Sequence, residues 1–259
     1  MKLSIEMILY LISLALFTIA FVKMNHRLER LGFLFLTIGL IVHSLTFLNN
    51  LVNNEVILLR LVMLTLVTLT GAGMYLIMSL RYRLSYSHVF FVSPTLILCF
   101  FYKPQLVGTT IPVAFSVHLL HFVSSVLALS SLTISFIAAI LYLIQHSQLK
   151  NKTFGFWTKR LPPLSTLDEV GFLATLFGFL SLTVAILSGG FRIHDGQLAF
   201  FAMGSREWII FAAWLVYALY FRIRYSVGYL GSKLAWVAVW CYLVQIFALF
   251  IMIGLHQFS

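Results

Sequence analysis

Eight histidines stand in a chain that carries few other groups able to do chemistry, and their positions sort them into three sets. His118, His121, His194 and His256 fall beside or at the ends of apolar runs. His43 lies inside such a run, among Leu40, Ile41, Val42 and Leu45. His26, His88 and His146 sit in or next to stretches rich in Lys and Arg, where surface or lipid-headgroup contact would account for them. Neutral imidazole is a common ligand for haem iron and other transition metals. Two histidines from different helices can hold a planar macrocycle from both faces. An ionisable ring within an apolar run is costly and usually faces a bundle interior or a cavity. His43 therefore reads either as a partnered core residue or as a ligand.

Other chemistry is thin. Of the seven acidic residues, only Glu6 lies within an apolar run, near its end, whereas a cation path normally places carboxylates near mid-membrane. Cys99 and Cys241 both sit in apolar runs and form no CxxC pair, so thiol exchange and cysteine metal sites are poor expectations. No HExxH, GxSxG or Gly-rich phosphate loop occurs, and no enzymatic activity is expected.

The elements that must position the histidines follow from composition. The chain of 259 residues is 61% apolar and 9% charged, with a mean hydropathy of +1.03. A soluble domain typically has about a quarter of its residues charged, so most of this chain's surface must meet lipid. Within lipid, backbone groups must pair inside a helix or close a barrel. The apolar runs are continuous and near twenty residues, which selects helices over alternating barrel strands. Eight runs can be laid out, at 3–22, 31–48, 56–80, 89–102, 113–145, 171–191, 208–221 and 234–254. The first is long for a secretion signal and reads as a membrane helix. The fifth exceeds a roughly 30 Å hydrocarbon core and must tilt or project. The expected fold is an all-α, polytopic transmembrane bundle of about eight helices, a single integral membrane domain over 1–259.

Sidedness follows from the basic residues of the short loops. Lys23, Arg27, Arg30, Arg81, Arg83, Lys150, Lys152, Lys159, Arg160, Arg222, Arg224 and Lys233 fall on one side, twelve in all. Lys2, Lys103, Arg192 and Arg206 fall on the other, and Arg60 lies within the third run. The basic side should be cytoplasmic, which puts both termini outside and His118, His121, His194 and His256 together at the outer face. The net charge of +10 then reflects topology, with membrane lipid as partner and no nucleic acid. Leu161-Pro162-Pro163-Leu164 breaks any helix. Ser165 or Thr166 can cap the next one, with Asp168 and Glu169 in its first turn. Gly189-Gly190 reads as that helix's end.

A set of ordered motifs carries a resemblance. It comprises His121, Leu141-Tyr142, Gln148-Leu149-Lys150, Leu161-Pro162-Pro163-Leu164, Thr166-Leu167-Asp168, Ala213-Trp214-Leu215-Val216-Tyr217-Ala218 and Gly254-Leu255-His256. In order and spacing these resemble the cytochrome c assembly superfamily, the CcsA/HemX/CcmC group, and within it the small eight-helix inner-membrane proteins of the YpjD type. The resemblance covers most of the chain and is strongest in the second half. It implies haem handling at the outer face of the bacterial inner (plasma) membrane, with cytochrome-assembly proteins as partners. By position, His121 and His256 match the family's external histidine pair, and His43 stands where the family places a histidine within the membrane.

Haem b is the implied cofactor, with His121 and His256 as iron ligands. His43, His118 and His194 are further candidates, Trp208 and Trp214 would pack against the ring, and Arg192, Arg206 or Arg60 would pair with the propionates. The family's haem-presenting loop is a Trp-Gly-x-x-Trp-x-Trp-Asp pattern. The matching stretch here, 193–204, holds no tryptophan, and Trp208 and Trp214 lie in the following helix. The alternative is a haem-free CcsA-like accessory protein in transport or metal homeostasis.

Overall fold

Apolar runs without water to satisfy their backbone coil into helices, and eight do so among the residues described by the computed structural model. It describes residues 5–53, 56–82, 84, 86–100, 110–112, 117–152, 155–194, 197–200, 205–227 and 231–257. The helices are α1 (Ile5–Lys23), α2 (His26–Asn53), α3 (Leu59–Arg81), α4 (His88–Phe100), α5 (Val117–Lys150), α6 (Leu164–Gly190), α7 (Ser205–Arg222) and α8 (Ser232–Gln257). A π-helical turn, Ile223–Val227, follows α7. Among the described residues, six helices are long and apolar enough to cross a membrane. α5 has 34 residues, about 51 Å at 1.5 Å per residue. Two short antiparallel ladders join helix ends: β1 (Val56–Leu58) with β2 (Thr110–Pro112), and β3 (Phe191–His194) with β4 (Gln197–Phe200). Ladders of three and four residues are too short to show a period of two in sequence.

The chain divides into two compact units. The first comprises residues 1–114 and 152–166, the second 115–151 and 167–259.

In the first unit, α1 turns Tyr10 and Ser13 inward. Both are fully buried, while Ile8, Leu11, Ile12 and Ile19 are exposed, as suits a helix whose outer solvent is hydrocarbon. Two glycines of α2, seven residues apart, let α1 come close. A Cβ on Gly32 would lie 2.8 Å from the Phe17 ring, and one on Gly39 would lie 2.8 Å from the Tyr10 ring. Ser13 Oγ donates to the Gly32 carbonyl at 2.9 Å between them.

Arg160 closes the C-terminal end of α1. Its guanidinium donates to Phe21 O at 2.7 Å, Val22 O at 2.9 Å and Phe156 O at 2.8 Å, and sits 3.8 Å from the Phe156 ring centre. A cation there satisfies helix-end carbonyls and opposes the dipole. Arg160→Ala should cost about 1–2 kcal/mol. Thermal unfolding of the detergent-solubilised protein checks it, and an unchanged midpoint would refute the capping role.

In the second unit, Gly178 of α6 receives Leu132 of α5, whose Cγ would lie 2.6 Å from an added Cβ. Ser135 and Thr175 hydroxyls join α5 to α6 at 2.6 Å, and Thr133 meets Tyr242 of α8 at 2.8 Å. The entry to α6 differs from the sequence expectation. The helix starts at Leu164, directly after Pro162-Pro163, so Ser165 and Thr166 lie inside it and Asp168 and Glu169 fall beyond its first turn. Asp168 instead accepts a bidentate pair from Arg224 on the π-helical turn, at 2.9 and 3.4 Å. Gly190 ends α6 as expected.

Candidate functional site

His118 and His121 are the second and fifth residues of α5. The His121 ring lies against the last turns of α6, where the side chains are small. Its Nδ1 is 2.6 Å from the Ala185 carbonyl. A carbonyl only accepts, so Nδ1 carries the proton and Nε2 of the neutral ring keeps its lone pair. Close approach is possible because residue 189 is glycine: a Cβ there would stand 2.8 Å from His121 Cε1 and Nδ1. Beside it, Ser188 turns its hydroxyl back to Val184 O at 2.6 Å, leaving the α6 surface low. Metal-binding histidines typically donate their second ring nitrogen to a carbonyl or carboxylate, which sets the tautomer and aims the ligating nitrogen. His121 has this arrangement.

Trp214 packs on the same helix. Its indole N–H donates to Thr183 Oγ1 at 2.9 Å, and its ring stacks on Phe179 and Phe211 at 5.3 and 5.6 Å. Thr183 and Gly189 are six residues apart, about 9 Å along α6. Trp208 is 57% exposed and meets Phe211 edge-on.

His43 belongs to the first unit. Its Nδ1 lies 3.1 Å from Tyr10 Oη, with the rings edge to face at 5.8 Å. The histidine within the membrane therefore has a polar partner, one of the two readings open to it. The backbones of Arg192 and His194 lie in β3, paired with Ala199 and Gln197, and that of His256 lies in α8. The side chains of His118, Arg192, His194 and His256 lie outside the described residues.

His88 differs from its surface expectation. It is 4% exposed, its ring held between Phe17 and Phe33 at 5.4 and 4.6 Å, and it joins Glu29 and Tyr75 in a buried polar array. The spacing of His26 and Glu29, three residues apart on one helix, was the signal available for it.

The family described as cytochrome C assembly protein matches residues 6–257. The chain belongs to this family. Its similarity to Protein HemX of Bacillus subtilis (strain 168) is 27% identity over 142 residues, 54% of this chain and 50% of that protein. Similarity to the cytochrome c biogenesis protein CcsA of Synechococcus sp. (strain RCC307) is 37% identity over 73 residues, 28% of this chain and 24% of that protein. CcsA of Prochlorococcus marinus (strain MIT 9301) is 31% identical over 97 residues, 36% of this chain and 31% of that protein. The chain thus spans half or less of the length of these relatives. No solved structure matches it. Family membership and the six apolar spans among the described residues agree on a multi-pass membrane protein of the cytochrome c assembly family.

Proposed function

We propose that this chain binds and handles haem b in cytochrome c biogenesis, in the inner (plasma) membrane of a bacterium, as a carrier and not an enzyme. The observation that supports it is the seat of His121. The Nδ1 proton is engaged by Ala185 O, Gly189 makes room for the ring, and Nε2 is left as the nitrogen able to ligate. The seat of His121 therefore suits an iron ligand. Bound haem would supply an iron centre, which His121 and His256 would hold. The bond from His121 to α6 orients its ring for ligation. Arg192 is the proposed propionate partner, and Trp208 and Trp214 offer apolar surface. His43 is proposed as a deeper site, with His118 and His194 as secondary candidates. Partners are membrane lipid and other cytochrome-assembly proteins.

The test is the spin state of hemin added to the purified protein. Two imidazole ligands give a low-spin, six-coordinate spectrum. His256→Ala should convert it to a high-spin form without loss of the fold. An unchanged low-spin spectrum in both His121→Ala and His256→Ala would exclude this ligand pair. Ion flux in proteoliposomes that depends on His43, with no haem bound, would favour the haem-free transport alternative.

A further inference from the structure

Five side chains from α2, α3, α4 and the α3–α4 turn form an unbroken hydrogen-bonded line in the first unit. Tyr75 Oη meets His88 Nδ1, and His88 Nε2 meets Glu29 Oε1. Glu29 Oε2 lies 2.8 Å from His26 Nδ1, and His26 Nε2 lies 2.9 Å from Tyr86 Oη. Tyr86 also donates to the Met24 carbonyl at 2.9 Å. Exposure rises from Tyr75 to His26. Tyr75 is 0% exposed, while the side chains of His88, Glu29 and His26 are 5%, 12% and 73% exposed. Apolar rings cover the buried end: Phe17 and Phe33 flank His88, and Phe91 stacks on Tyr75 at 5.6 Å.

The protons can be assigned. A carboxylate accepts only, so His88 donates from Nε2 and its Nδ1 accepts the Tyr75 O–H. The Met24 carbonyl accepts only, so Tyr86 gives its hydrogen there and its oxygen accepts from His26 Nε2. His26 Nδ1 donates to Glu29, which makes His26 doubly protonated against an ionised Glu29. Each contact of the line thus joins one donor to one acceptor, with Glu29 accepting on both oxygens and His26 donating from both nitrogens.

We propose that this array is a proton relay connecting solvent at the α1–α2 turn to the buried phenol of Tyr75. His26 releases a proton to water. Tyr75 gives its proton to His88 Nδ1, His88 gives its Nε2 proton to Glu29 Oε1, and the carboxyl group turns so that this O–H faces His26 and passes the proton to the vacated Nδ1. The return path restores the starting state with one proton exchanged and no bond broken except O–H and N–H. Of the other charged groups at this end, Lys23, Arg27, Arg30 and Arg81 are exposed, and Arg160 is engaged by the α1 carbonyls. The first unit thereby has a titratable core that is reachable while the bundle stays closed, independently of the haem reading.

Infrared spectra of the full-length protein in membranes, followed after a change from H2O to D2O, test it. The Tyr75 phenol band is the one lost in Tyr75→Phe. Glu29→Gln and His26→Gln should each slow its exchange by about tenfold or more, and Glu29→Asp should retain the fast rate. A purely structural role gives the opposite sign, because losing the Glu29 bridge would loosen the bundle and hasten exchange. Exchange in Glu29→Gln as fast as in the unaltered protein, or faster, would overturn the relay.

Discussion

Gly189→Ala is expected to weaken hemin binding about 10–100-fold, although residue 189 bears no ligand and the change adds one methyl group. The methyl would stand 2.8 Å from two atoms of the His121 ring, well inside van der Waals contact, so the imidazole must move. Moving it lengthens the 2.6 Å bond from Nδ1 to Ala185 O, which sets the tautomer and aims Nε2. His121→Ala removes the nitrogen outright and should reduce binding further, with partial recovery on adding free imidazole. Gly73→Ala is the control, because an added Cβ there meets nothing within 4 Å. It lies within α3 and should leave binding unchanged while stabilising the helix by up to about 1 kcal/mol. Equal hemin affinity in Gly189→Ala and Gly73→Ala would contradict the proposed seat.

The largest expected loss of stability lies at the other glycine contact. Gly32→Val and Gly39→Val each place carbon where an aromatic ring of α1 already sits, Phe17 in one case and Tyr10 in the other. Overpacking of this kind costs about 1–3 kcal/mol per site. In lipid, close helix contact is a main source of association, so α1 should separate from α2 when both are changed. Separation also removes the bond from Ser13 to the Gly32 carbonyl and the Tyr10 partner of His43. Phe17→Ala should restore much of what Gly32→Val loses, since the space is then free. Crosslinking between cysteines placed on α1 and α2 reports the contact. Failure of Phe17→Ala to rescue Gly32→Val would refute the steric cause.

The eight helices were legible because each apolar run is continuous, and hydrocarbon leaves the backbone no other partner. Their ends were less so. Residues 164–170 look like a polar approach to α6 because they contain Asp168 and Glu169, yet they are helical, and Asp168 meets Arg224 from 56 residues away. Motif order pointed to His121, but which of its nitrogens is left to ligate depends on the Ala185 carbonyl, 64 residues distant. His88 misled in the opposite direction. Its neighbours Arg81 and Arg83 suggest a surface loop, while Phe17 and Phe33 from two other helices cover it. Local polarity reports where a segment ends, and only the packing of distant helices decides what is buried.

The most direct test of the haem assignment is the absorption spectrum of the purified protein from haem-replete cells, followed by hemin titration. The account predicts a saturable Soret band that His121→Ala diminishes strongly. A colourless protein that gains no band at any hemin concentration, or a band indifferent to His121, would contradict it.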